Sequence, residues 1–314
     1  MTLGGESIPV VLIGGFLGSG KSTLLGALLR SPGMADTAVI VNEFGEIGID
    51  HALLERGDAD DAVVLLESGC ICCTLTSSLE DTLETLYYRR ERGEIPRFSR
   101  VAVETTGLAD PGPVAASIAG GLFVGRRYRL GGIVITADAL AGADTLAAHD
   151  EARRQIAMAD RIVLTKTDVD PDGRGLARLR EAIAVLNPTA VTREAAFGAI
   201  DPAWVVDGPS STIRGRAQAG RHDHDHGSDH GHDHLAAHGY VSALAYRRQP
   251  LGWAAYATWV ARLQHEAGEH LLRAKGIVRF DDGVVRAIQG CACCSRHRPY
   301  SSVPWCTTPR APSC

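Results

Sequence analysis

A chain of 314 residues is longer than one hydrophobic core usually supports, which predicts a main domain and a smaller second one. The apolar fraction of 45% is ordinary and the formal net charge of -5 is mild, so neither suggests a nucleic-acid-binding surface. Residues 1–8 hold no Lys or Arg, and the apolar run 9–13 is far too short for a signal or membrane segment, so a soluble cytoplasmic protein is expected.

Over the first 200 residues, short β-branched runs alternate with helical patterns, as in a mostly parallel sheet covered by helices. Strands are predicted at 10–13, 37–41, 62–66, 101–103, 132–136 and 161–164, and helices at 21–29, 78–90, 150–158 and 175–186. The near-continuous apolar strands predict burial on both faces. The fold class is therefore α/β, with a first domain at 8–206. A polar linker at 207–238 follows, with seven histidines between His222 and His238 that suit weak, exchanging binding of Zn²⁺, Co²⁺ or Ni²⁺. A small α+β domain is predicted at 239–290: a strand at 240–246, a helix at 252–270, and a hairpin of 276–280 with 284–288 around Asp281-Asp282-Gly283. The tail at 291–314, rich in Cys, Arg, Ser and Pro, has no strand or helix period. A shifted reading frame or truncated gene, and a second metal site at Cys291, Cys293 and Cys294, are the readings it leaves open.

Gly15-Phe-Leu-Gly18-Ser19-Gly20-Lys21-Ser22, followed by Thr23, matches the phosphate-binding P-loop pattern and lies between a predicted strand and a predicted helix. Its glycines let backbone amides curl around phosphates, Lys21 reaches the β- and γ-phosphates, and the Ser22 hydroxyl is a ligand for Mg²⁺. The predicted strand at 101–103 runs into Glu104-Thr-Thr-Gly107, which supplies a carboxylate to order a metal-bound or attacking water and a glycine to let the backbone approach the γ-phosphate. Outside this context, Glu104 would read as a solvated strand end. Thr165-Lys166-Thr167-Asp168 resembles the Asn-Lys-x-Asp guanine motif, with Thr where Asn is usual, and favours GTP through Lys166 and Asp168. A helix N-cap is the bland reading of Asp168.

The eight cysteines fall into two groups, Cys70, Cys72 and Cys73 near the third predicted strand and the rest beyond residue 290. Tight clusters without a secretion signal point to metal or redox chemistry more than to structural disulfides. Cys70, Cys72 and Cys73 are expected on a loop, where three thiolates could hold one Zn²⁺ or Cu(I) with a fourth ligand from elsewhere; core packing is the alternative.

Together with Asn42-Glu-Phe-Gly-Glu-Ile-Gly-Ile-Asp50, Gly69-Cys-Ile-Cys-Cys73 and Glu104-Thr-Thr-Gly-Leu-Ala-Asp-Pro111, these motifs resemble the CobW-type metallochaperone GTPases, relatives of the urease and hydrogenase maturation GTPases. Arg273-Ala-Lys-Gly276 and Ile288-Gln-Gly290 extend the resemblance to about residue 290; the tail departs from it. The resemblance implies a P-loop GTPase using GTP and Mg²⁺ and delivering a transition metal, Zn²⁺ first and Co²⁺ second, to a client metalloprotein. It implies a γ-phosphate-sensitive switch containing Asn42, Glu43 and Asp50. Cys70, Cys72 and Cys73 would hold the metal, with Glu43 completing or perturbing that site. A non-catalytic metal buffer and a cobalt-handling GTPase of cobalamin synthesis share these motifs. The client is not named, and a homodimer stays open.

Overall fold

The computed structural model describes residues 7–41, 63–65, 71–74, 78–120, 123–170, 172–207, 249–267, 271, 273–291 and 306–309. Among these, eight strands form one sheet: β1 (Ile8–Gly15), β2 (Thr37–Val41), β3 (Val63–Leu65), β4 (Ile71–Thr74), β5 (Arg100–Glu104), β6 (Tyr128–Asp138), β7 (Arg161–Thr165) and β8 (Val191–Ala195). Their spatial order is β3-β4-β2-β5-β1-β6-β7-β8. The β3–β4 pair is antiparallel and the others are parallel. From β1 the chain first builds outward through β2 and then returns to build the other side from β6, so the carboxyl end of β1 is the switch point where such sheets bind ligands.

Alternating strand residues serve two cores. Val11, Ile13, Val39, Val41, Val134 and Val163 pack with Leu24, Leu25 and Leu28 of α1 (Lys21–Leu29) and with Trp204 and Val205 of α8 (Pro202–Val206). The opposite face, with Val10, Leu12, Ile40, Val103 and Ile135, is covered by α2 (Leu79–Arg92), α3 (Pro111–Gly120), α6 (Asp150–Met158) and α7 (Arg174–Leu186). Helices on both faces explain why β2 and β7 are buried along their whole length. α4 (Val124–Arg127) and α5 (Gly142–Ala148) complete this layer.

The structure adds elements that periodicity did not reveal: α3, α4, α5, α8, β4 and β8. α3 is built from Pro, Gly, Ala and Ser with few large apolar residues to mark a face. β8 is the sheet edge and exposes Arg193 and Glu194, so it lacks the apolar run of a buried strand. The thiol segment also differs from expectation, because Ile71–Thr74 is a strand rather than a loop, paired with β2 through Val39–Cys72 and Ile40–Cys73. Pairing with a strand about thirty residues earlier made it regular, which local sequence could not reveal.

In the C-terminal part, α9 (Trp253–Ala267) lies with β9 (Arg273–Arg279), β10 (Val285–Cys291) and β11 (Cys306–Pro309). The three strands form an antiparallel sheet in the order β11-β10-β9, and Tyr256, Val260, Phe280 and Ile288 form a small core. β11 gives the supposedly patternless tail a strand, because Cys306 to Pro309 finds its partner in β10. The strand predicted at 240–246, the histidine linker and Cys293, Cys294 and Cys314 lie outside the described residues. Among the described residues no helix is long and apolar enough to cross a membrane.

Candidate functional site

β1 ends at Gly15 and α1 begins at Lys21, so the chain must reverse over five residues at the switch point. Positive φ angles at Gly15 (147°), Gly18 (73°) and Gly20 (87°) make that reversal. Gly15 has no room for a side chain, since a Cβ there would stand 2.1 Å from Thr136 Oγ1 and 2.6 Å from Ser19 Oγ. At Gly18 a Cβ would meet nothing within 4 Å, so this part of the loop faces open space. Lys21 Nζ donates to Gly15 O at 2.9 Å and Phe16 O at 3.1 Å, which lays the ammonium along the loop it would help to neutralise. Ser22 is half-buried and Thr23 exposed in the first turn of α1, a helix start without an acidic residue or a side-chain cap. Its amides are therefore available to an anion.

The loop is braced from β6 and β7. Ser19 Oγ and Thr136 Oγ1 are 2.6 Å apart in the core, and Thr136 donates onward to Gly14 O at 3.2 Å. Thr165 Oγ1 donates to Ser19 O at 2.7 Å. Lys166 follows with a left-handed φ of 58°, and its Nζ is 2.5 Å from Asp138 Oδ2. Asp138 Oδ1 in turn accepts from the Leu140 amide at 2.8 Å. This fixes the Lys166 stem at the strand ends. Asp168 is exposed in the 3-10 turn Thr167–Val169 beside it.

Glu104, at the end of β5, is opposite Ile13 of β1 and half-buried. The ladder continues one bond further, Thr105 N to Ile13 O at 2.9 Å. Gly107 is then buried against the P-loop, where a Cβ would stand 2.5 Å from the Leu17 side chain and 3.1 Å from its amide nitrogen. Gln155 of α6 pins this loop by donating to Gly107 O and Ala109 O, both at 3.0 Å. A cavity of about 280 Å³ lies behind the P-loop, lined by Phe16, Gly18, Thr136, Asp138, Gln155 and Ile156.

Gly15, Gly18, Ser19, Gly20, Lys21, Ser22, Thr23, Glu104, Gly107, Lys166 and Asp168 thus come from three stretches of chain to the carboxyl edge of β1, β5 and β7. The left-handed glycines, the bare helix start and the lysine fit a Mg²⁺-bound nucleoside triphosphate. Asp138, Thr136 and Gln155 were missed by sequence reasoning. Asp138 had one legible signal, an acidic residue ending an apolar run; Thr136 and Gln155 had none.

The thiol segment is only partly described. Cys72 and Cys73 are in β4, while Cys70 and Glu43 lie outside the described residues, as do Asn42 and Asp50. Among the described residues, no group of three or more His, Cys, Asp or Glu could hold a metal ion. By register, Cys73 is level with Ile40, Val103 and Leu12, one residue before the level of Glu104. Its strand is two places from β5, so the two backbones are about 10 Å apart.

A mostly parallel sheet carrying a glycine-rich, lysine-bearing loop between β1 and α1 at its switch point defines a P-loop nucleotide-binding fold. Residues 9–193 match the model of the CobW/HypB/UreG nucleotide-binding domain, and the chain belongs to that family. Zinc chaperone YjiA of Escherichia coli is 38% identical over 62% of this chain, and the match spans 59% of YjiA. Zinc-regulated GTPase metalloprotein activator 1 of Schizosaccharomyces pombe is 27% identical, covering 91% of this chain and 75% of that protein. Among solved structures, the Zn(II)-bound YjiA GTPase superposes with a TM-score of 0.70 at 28% identity, covering 98% of this chain and 90% of that one.

Proposed function

We propose that this protein is a GTP-hydrolysing metallochaperone of the cytoplasm that carries Zn²⁺ to a client metalloprotein. The observation that carries the reading is the joining of the P-loop to the Thr165–Asp168 segment through the Thr165–Ser19 hydrogen bond, which puts phosphate and base chemistry in one site. The names of the related zinc chaperones support zinc as cargo and GTP as nucleotide.

In this reading the amides from Gly15 to Ser22 and the Lys21 ammonium hold the phosphates, and Asp168 accepts from the guanine N1 and N2 positions while the Lys166 stem covers the ring. Ser22 would hold Mg²⁺, which supplies charge neutralisation at the β- and γ-phosphates. Glu104 orients the water that attacks the γ-phosphorus, so that GTP and water give GDP and phosphate. Gly107 lets its loop follow the γ-phosphate. Cys70, Cys72 and Cys73 would hold Zn²⁺, with Glu43 in the switch as the fourth group; because adjacent residues of a strand face opposite sides, this requires the Cys72–Cys73 stretch of β4 to leave its regular pleat when the metal binds. β4 is hydrogen-bonded to β2, whose last residue Val41 runs directly into that switch, which supports coupling between cargo and nucleotide.

The deciding experiment measures GTP turnover and GTP affinity for the native chain and for Lys21→Ala. Slow Mg²⁺-dependent turnover, with affinity lost by about 100-fold or more in the variant, is expected from removing a charged phosphate partner. Equal affinity in calorimetry would overturn the assignment of the loop, and binding without turnover would leave a nucleotide-bound metal buffer.

A further inference from the structure

The turn after β8 carries an aromatic ring in a place that neither packing nor local conformation explains. Phe197 is 78% exposed, although phenylalanine is usually buried. Its φ of 50° lies in the left-handed region, which a bulky residue rarely adopts. The turn is closed by Ala199 N donating to Ala196 O at 2.9 Å, with Phe197 and Gly198 (φ 76°) as its two central residues. Turns with positive φ at both central positions normally place Gly, Asn or Asp there. Gly198 obeys that rule and Phe197 does not.

The position of the turn is fixed by contacts. Gly198 is pressed against α1 so closely that a Cβ would stand 2.7 Å from Thr23 O, two residues from Lys21. β8 pairs in parallel with β7, Thr165 opposite Ala195, so Lys166 and Ala196 leave neighbouring strands side by side. The turn that carries the exposed ring therefore stands against α1 on one side and beside the end of β7, where Lys166 follows, on the other. A nucleotide with its phosphates on Gly15 to Ser22 and its base edge on Asp168 would set its base near this turn.

We propose that Phe197 is the aromatic contact for the nucleotide base, packing on the purine while the Lys166 stem, held by Asp138, covers it elsewhere. This rests on the reading of Gly15 to Ser22 and Thr165 to Asp168 as the nucleotide site. Ring-on-ring contact supplies affinity without choosing between purines, because every base offers a π-face. Asp168 chooses the purine; Phe197 holds it.

The test compares the native chain, Phe197→Ala and Phe197→Trp by calorimetry with GTP, ATP and inorganic triphosphate, each with Mg²⁺. Phe197→Ala is expected to weaken GTP and ATP by a common factor of about 5 or more and to leave inorganic triphosphate, which has no base, unchanged. Phe197→Trp is expected to restore nucleotide affinity. GTP affinity within about twofold of native in Phe197→Ala would overturn the proposal, and so would an equal loss for inorganic triphosphate, which would make the residue a support for the loop. In either case a Lys21-dependent GTP affinity in the native chain leaves the nucleotide reading standing.

Discussion

Thr165 Oγ1 donates to the carbonyl oxygen of Ser19 at 2.7 Å, across 146 residues of sequence. The residue standing where guanine-binding segments usually have Asn is thus a brace between that segment and the phosphate loop. Its Cβ and methyl also lie 3.3 Å from where a Cβ on Gly20 would be. Thr165→Val keeps the shape and removes the donor, leaving the buried Ser19 carbonyl without that bond. A loss of about 1–3 kcal/mol of stability is expected, seen as a lower melting temperature and weaker GTP binding together. An unchanged melting temperature with native GTP affinity would show the hydrogen bond to be idle.

Asp168 is exposed in its 3-10 turn, so its replacement should leave the fold intact. Asp168→Ala is expected to reduce GTP affinity to that for ATP, since the acceptor for guanine N1 and N2 is gone, and to leave ATP affinity near native. Competition of the two nucleotides against a fluorescent GDP measures this directly. A native protein that bound ATP as tightly as GTP would refute the guanine assignment.

Cys72 and Cys73 share a strand with no other described thiol, and β4 touches the nucleotide half of the sheet through β2. Replacing both by Ser should remove the tight Zn²⁺ site and its nucleotide dependence while leaving the weak sites of the histidine linker. In the native protein, Zn²⁺ titrations with GTP, with GDP and without nucleotide should differ, and GTP affinity should change with Zn²⁺ by the same factor, about 5- to 150-fold for coupled sites. Three identical tight-site affinities would mean that cargo and nucleotide do not communicate.

The Tyr256 hydroxyl is buried in the small C-terminal core without a hydrogen-bond partner among the described residues, and burial pushes its pKa up to about 12. An unfolded tyrosine ionises near pH 10, at about 10. The folded state therefore holds its proton where the unfolded state has lost it, so stability is full below about pH 10 and falls as pH rises toward about 12. Tyr256→Phe should remove that alkaline loss and be neutral or stabilising by about 1 kcal/mol near pH 7, because an unpaired polar atom leaves the core. Melting curves at pH 7 and pH 11 compare the two; a steeper alkaline loss in the variant would contradict the account.

The phosphate loop and the Thr165–Asp168 segment were legible because each is a contiguous run whose residue types set both its shape and its chemistry. The glycines of the loop carry the positive φ angles themselves, and Lys21 reaches its contacts within six residues. The buried strands were legible for a similar reason, since two covered faces demand unbroken apolar runs. Pairing between distant segments decided the rest. Cys72 and Cys73 became part of a strand because β2 was there to pair with them, and polar β8 became a strand because β7 offered an edge. The brace from Thr136 to Ser19 spans 117 residues, and the Gln155 clamp on Gly107 spans 48. Phe197 gained its place beside α1 from the packing of Gly198 on Thr23. A local pattern encodes what a segment can do with its own backbone; which side chain meets it from across the sheet depends on register and helix packing, which only the folded chain sets.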